Sequence, residues 1–121
     1  MKERQKILLA LCRSAESGFT RTQVVKFSFL ARMESDIGKR VAFYDFLPYK
    51  YGPYSFVLGR ELSELMNWGY LEENGTVCIS CRLTAELDEI LAGLSQPIQN
   101  SIQEIISRYG YYSHDSLIRS V

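Results

Sequence analysis

The run Tyr70-Leu71-Glu72-Glu73-Asn74-Gly75-Thr76-Val77-Cys78-Ile79-Ser80 constrains this chain most. Two short segments flank an Asn-Gly pair. That pair suits a type I′ reversal, because both central residues of such a turn need positive φ. A β-hairpin is therefore expected here. Just upstream, Leu58, Leu62, Leu65 and Met66 form an apolar stripe, with Arg60, Ser63, Glu64 and Asn67 opposite. This is the pattern of an amphipathic helix. Ser55 supplies an N-cap, the helix runs to about Trp68, and Gly69 suits a left-handed terminator.

The remaining segments read as helices packed around this pair. Leu8, Leu11, Cys12 and Ala15 share one helical face within residues 4–17, and Gly18 stops that helix. Thr20 and Gln23 have the spacing of a capping box, in which each side chain satisfies an orphan backbone N–H. The helix that follows carries Val24, Val25, Phe27, Phe29, Leu30, Ala31 and Met33. Its apolar residues run most of the way round, which predicts that it is the most buried helix. Residues 34–54 break the helical pattern at Gly38, Pro48 and Gly52-Pro53, with Val41–Phe46 expected as a short strand. Beyond the hairpin, Thr84 opens a helix bearing Leu87, Ile90, Leu91 and Leu94. Pro97 begins another bearing Ile98, Ile102, Ile105, Ile106 and Tyr109, with Gly110 at its end. Ser113 suits the cap of a last helix with His114, Leu117, Ile118 and Val121 on one side. The lack of a stop signal there predicts a chain that continues past Val121.

A length of 121 residues predicts one domain, residues 1–121. Apolar residues at 46% and charged residues at 23% are ordinary globular usage. The longest apolar runs fall short of a membrane span. The apolar stretch Ile7–Cys12 after the basic N-terminus lacks a cleavage site and reads as a helix. Three cysteines argue against a disulfide framework and fit a reducing, cytoplasmic setting. Residues 1–60 hold 11 Lys/Arg against 5 Asp/Glu, and residues 61–121 hold 3 against 9. Such a dipolar chain either attracts an anion or a second copy of itself, or loses its polarity because the fold mixes the two halves.

Helix, helix, capped helix and hairpin is the order of a winged helix-turn-helix, whose third helix commonly enters the DNA major groove. The expected fold class is α+β, helix-dominated, winged helix-turn-helix-like, with one β-hairpin and additional C-terminal helices. The segment Lys26-Phe27-Ser28-Phe29-Leu30, then Phe43-Tyr44-Asp45-Phe46-Leu47-Pro48-Tyr49-Lys50-Tyr51-Gly52-Pro53-Tyr54-Ser55, continues through Leu58, Glu61-Leu62, Leu65 and Gly69-Tyr70-Leu71. It resembles the YwgA-like group of bacterial and archaeal proteins and, more distantly, the Panacea antitoxin domain. The resemblance covers roughly the middle third of the chain. It implies a winged-helix-like fold and a regulatory or defence-related setting, and it implies no catalytic residue.

On the Ser55–Trp68 helix, Arg60, Ser63 and Asn67 offer donors for phosphates and base edges, whereas Glu61 and Glu64 repel phosphates. The hairpin tip, Glu72-Glu73-Asn74-Gly75, is acidic where a DNA-clasping wing is usually basic. About 20 residues separate this helix from the one before it, against the 3–4 of a compact helix-turn-helix. The same face therefore also suits a protein partner or a homodimer. Phe43, Tyr44, Phe46, Tyr49, Tyr51, Tyr54 and Phe56 lie close in sequence to Lys39, Arg40 and Lys50. Such rings stack bases while cations hold phosphates, or they anchor a partner, or they simply complete the core. Lys39, Arg40, Lys50 and Arg60 are the candidate phosphate or acidic-partner contacts, with Tyr49, Tyr51 and Tyr54 as stacking or anchor surfaces. Cys78 and Cys81 form a C-x-x-C, but only Cys12 and His114 remain to complete a four-ligand zinc site. A redox C-x-x-C usually opens a helix after a strand, and this one does not. With no Gly-rich phosphate loop and no paired carboxylates, the chain is read as a non-enzymatic module without metal or cofactor.

Overall fold

The computed structural model of the chain describes residues 1–15, 18–50, 52–80 and 84–109. Within these the fold is helix-rich α+β. Its elements, in order, are α1 (Glu3–Arg13), α2 (Arg21–Glu34), α3 (Ile37–Arg40), β1 (Leu47–Tyr49), β2 (Gly52–Tyr54), α4 (Phe56–Asn67), β3 (Leu71–Asn74), β4 (Thr76–Ile79), α5 (Thr84–Ala92) and α6 (Gln96–Tyr109).

The helix boundaries follow local chemistry. Thr20 and Gln23 form the expected capping box: Gln23 N–H donates to Thr20 Oγ1 at 3.1 Å, and Thr20 N–H to Gln23 Oε1 at 2.9 Å. Ser55 Oγ accepts from Leu58 N–H at 3.2 Å at the start of α4. Gly69, at φ 86°, ends that helix in the left-handed region where a side chain is disfavoured. Pro97 occupies the first turn of α6, as its missing N–H favours.

The centre of the molecule is α1, not α2. Helix α1 packs against α2, α4, α5, α6 and β4, and Ile7, Leu8, Leu9 and Leu11 are all fully buried. A single-face reading of α1 was too narrow because it is enclosed on several sides. Helix α2 keeps one wet edge, where Met33 is 64% exposed and Phe29 is half-buried. The core continues through Phe27, Leu30, Ile37, Tyr44, Leu58, Leu62, Leu65, Val77, Leu91 and Ile105.

The region between α2 and α4 departs from expectation. Val41–Phe46 is not a strand; it follows the short α3 as irregular extended chain that drops Phe43 and Tyr44 into the core. The pairing lies downstream, so the fold has two hairpins among the described residues and not one. Strand β1 pairs antiparallel with β2, Leu47 opposite Tyr54, Pro48 opposite Pro53 and Tyr49 opposite Gly52. Prolines lower strand expectation because they cannot donate to a ladder, yet an isolated two-stranded ribbon has free edges that tolerate them.

The second hairpin lies where Asn74-Gly75 placed it, with Leu71 opposite Ile79 and Asn74 opposite Thr76. Its turn is not type I′. Gly75 has φ 81°, but Asn74 keeps negative φ, so only one residue takes the left-handed conformation. A third segment joins this ribbon: Phe19, between α1 and α2, forms an antiparallel bridge with Val77 of β4. Both backbone bonds are made, Phe19 N–H to Val77 O at 3.1 Å and Val77 N–H to Phe19 O at 2.6 Å.

Among the described residues no helix is long and apolar enough to cross a membrane. The expected helix after Gly110 lies outside the described residues.

If α1 is the enclosed helix, truncation there is the more damaging. Ile7→Ala should cost about 2–5 kcal/mol in urea unfolding, whereas Met33→Ala should stay within about 0.5 kcal/mol. Equal losses at the two positions would contradict this packing order.

Candidate recognition surface

Helix α4 is held in rotation by a buried carboxylate. Glu61 is fully buried and meets three donors. Arg4 grips it with two bonds, Nε to Oε1 at 2.8 Å and Nη2 to Oε2. Lys2 Nζ reaches Oε2 at 3.1 Å, and the buried Tyr44 hydroxyl donates to Oε1 at 2.8 Å. Burial pushes the Glu61 carboxyl up, but hydrogen bonds from Arg4, Tyr44 and Lys2 outweigh it and hold the group at about 2. Burial, then the bond to Glu61, pushes the Tyr44 phenol well above its ordinary range, so it stays a donor. The Arg4 guanidinium also lies 5.0 Å from the centre of the Tyr44 ring.

Glu64, the other acid of α4, accepts from Gln5 Nε2 at 3.2 Å, toward α1. Glu61 is therefore off the outward stripe, and its expected repulsion of phosphates is corrected; Glu64 stays half-buried beside that stripe and keeps its charge. The outward stripe holds Phe56, Arg60, Ser63 and Asn67, at the i, i+4, i+7, i+11 spacing of one helical face. Phe56 is 58% exposed, and Arg60 makes no ion pair among the described residues. Ser63 donates to Gly59 O at 3.2 Å, which fixes its hydroxyl without covering its lone pairs. Trp68 is exposed at the helix end.

The acidic hairpin tip is also partly neutralised. Arg21, at the first position of α2, donates from Nε and Nη2 to the two oxygens of Glu73 at 2.7 and 3.0 Å. These bonds hold the Glu73 carboxyl below its ordinary range. Glu72 accepts from Ser80 Oγ at 3.1 Å. The basic first half and the acidic second half meet again at Arg13 and Asp88, 2.7 Å apart. Together with Arg4–Glu61 and Arg21–Glu73, this pairing mixes the two halves and reduces the molecular dipole read from sequence.

The aromatic segment divides. Phe43 and Tyr44 complete the core, as the packing alternative expects. Tyr49, Tyr54 and Phe56 instead form a cluster at the surface, with ring centres 5.7 Å apart for Tyr49–Tyr54, 5.7 Å for Tyr49–Phe56 and 4.9 Å for Tyr54–Phe56. Lys50 sits exposed in the turn of the β1–β2 hairpin beside them. Tyr51 lies outside the described residues. Lys39 and Arg40 end α3 and border other grooves, Lys39 one with Arg32 and Ser35, Arg40 one with Lys2 and Arg4. The structure therefore joins Tyr49, Tyr54, Lys50, Arg60, Ser63 and Asn67 around α4 and the first hairpin, and leaves Lys39 and Arg40 apart.

A cleft of about 400 Å³ opens beneath the aromatic cluster, between α2, β2 and α4. Arg21 and Lys26 line it, and sequence reading had not singled them out as site residues. Lys26 lies within an apolar helix, and the close approach of β2 brings it to the cleft. Gly52, at φ 113°, makes that approach possible, since a Cβ there would overlap Lys26 Nζ.

Of the thiols, Cys12 is buried, and burial pushes it up to about 12, as for an inert core thiol. Cys78 is half-buried on β4. Cys81 and His114 lie outside the described residues, as does any site completed by them.

The Glu61 anchor carries a pH signature. Its folded value of about 2 lies below the ordinary 4.5, so its contribution is present above 4.5 and is lost as pH falls toward 2. Glu61→Gln should lower the melting temperature at neutral pH, and its gap from the wild type should narrow across that acid window. A gap that stays constant with pH would remove the ionised anchor. No family model, curated protein or solved structure matches the chain in the comparisons made with each.

Proposed function

We propose that this chain is a non-enzymatic recognition module of winged-helix type that binds nucleic acid through the outward face of α4, in a regulatory or defence-related system. The observation that carries the reading is the outward stripe Phe56, Arg60, Ser63 and Asn67, from which Glu61 is withdrawn into the core while Glu64, beside it, accepts from Gln5 of α1. Arg60 supplies charge for a phosphate or a guanine edge, and Ser63 and Asn67 supply shorter donors and acceptors. Lys50 adds a phosphate contact at the hairpin tip, and Tyr49 and Tyr54 add stacking surface. Lys39 and Arg40 contribute at longer range.

The topology supports the fold half of the reading. A short segment between the first two helices pairs with the second strand of the hairpin that follows the recognition helix, through Phe19 and Val77. That is the way a winged helix ties its wing to its helices. The long insertion between α2 and α4, which holds α3 and the β1–β2 ribbon, is the chain's departure from the compact motif.

A second reading is a protein-interaction or dimerisation domain, antitoxin-like in character. Leu47, Tyr49, Phe56 and Val57 favour it, since all four are exposed apolar or aromatic side chains near the start of α4.

A salt series separates the two. Binding to generic duplex and single-stranded DNA should weaken steeply with salt, and Arg60→Ala should reduce the slope of log affinity on log salt by about 1. Undetectable binding at about 50 mM salt, together with a dimer in solution that Phe56→Asp dissociates, would overturn the nucleic-acid reading in favour of the second.

A further inference from the structure

The first turn of α4 and the ribbon before it leave rings open to solvent. Tyr49 is 53% exposed and Phe56 58%, and Tyr54 lies against both, its ring centre 5.7 Å from that of Tyr49 and 4.9 Å from that of Phe56. Leu47 and Val57, 44% and 38% exposed, extend the patch. A contiguous exposed apolar patch of this kind marks a docking surface.

Charge discriminates among the occupants. Lys50 follows Tyr49 directly, and Arg60 stands one turn beyond Phe56. Both are exposed, and neither forms an ion pair among the described residues. The acid on the approach to β1, Asp45, is instead paired with Arg32 at 2.9 Å. A second copy docked here about a two-fold axis would set the same cations against one another. A purely apolar partner would leave them unanswered. An aromatic polyanion matches the rings and the cations together.

The form of that polyanion follows from where the rings stand. A recognition helix meets the edges of duplex bases with its N-terminal residues. At that end α4 carries Phe56 and Val57, which offer an edge little beyond contact with a thymine methyl. In a duplex the bases are stacked on one another, so exposed rings find no free base face. In a single strand the faces are open, and stacking on them tolerates any sequence. The β3–β4 hairpin points the same way. It holds no Lys or Arg from Leu71 to Ile79, and Glu72 and Glu73 are exposed. Arg21 offsets only one of these acids. Such a wing is poorly suited to a duplex backbone, and a single strand needs no clasp of that kind.

We infer that the α4 face takes single-stranded nucleic acid in preference to duplex, with bases stacked on Tyr49 and Phe56 and phosphates on Lys50 and Arg60. This narrows the nucleic-acid reading proposed above and rests on it.

Fluorescence anisotropy with a labelled strand of about 16 nucleotides, the duplex it forms with its complement, and the RNA strand of the same sequence tests it at about 50 mM salt. The single strand should bind at least about tenfold more tightly than the duplex. Tyr49→Ala and Phe56→Ala, both at exposed positions, should each lower single-strand affinity at least about fivefold and narrow that gap. Tyr49→Phe, which keeps the ring, should retain it. A preference for the DNA or the RNA strand assigns the sugar, and either supports the inference. Duplex binding as tight as single-strand binding, or a single-strand affinity that Tyr49→Ala and Phe56→Ala leave unchanged, overturns the inference and leaves the broader reading standing. Binding of neither form overturns both. Circular dichroism of each variant shows whether a loss reflects the surface or the fold.

Discussion

The buried carboxylate of Glu61 sets the orientation on which the rest of this molecule depends. An ionised group shielded from water is costly unless it is fully paired. Here the pairing comes from three residues in two segments: Lys2 and Arg4 at the start of α1, and Tyr44 in the segment before the first hairpin. A single side chain thus ties α4 to the central helix and to the irregular stretch that brings in β1. Once Glu61 faces inward, the helical repeat sends Phe56, Arg60, Ser63 and Asn67 outward. The proposed recognition face is therefore a consequence of the anchor.

Charge is managed across the fold in the same manner. The acids of the second half of the sequence find cations of the first half, at Arg4, Arg13 and Arg21. Exposed pairs such as Arg13–Asp88 add little stability. Their effect is on the field, because they remove negative potential near the hairpin and around α4. Lys50 and Arg60, which form no ion pair among the described residues, then stand out more than their number suggests.

The β1–β2 ribbon is the other organising feature. It fills the gap that the long connection between α2 and α4 creates, and it does so with rings. Gly52 lets the ribbon approach α2 closely enough to cover Lys26, while Tyr49 and Tyr54 turn toward Phe56 at the start of α4. One short insertion thereby supplies both an exposed aromatic surface and a cation-lined cleft beneath it.

Local chemistry was enough to find most of the elements. The Thr20–Gln23 capping box, Ser55 as N-cap, Gly69 as terminator, Pro97 in a first turn and the reversal near Gly75 all depend on contacts within a few residues, so the sequence alone contains them. The first hairpin escaped notice because its prolines lower strand expectation and its register rests on packing against α2. The turn at Asn74-Gly75 was placed correctly but typed wrongly, since the conformation of Asn74 answers to the paired strands as well as to its own propensity. What no local pattern could decide was direction: whether Glu61 meets solvent or Arg4, whether Glu73 repels a ligand or holds Arg21, whether Lys26 is a surface cation or the floor of a cleft. Each depends on a partner between 26 and 57 positions away. Such partners meet only when the chain is folded, and electrostatic interactions follow distance in space, not in sequence.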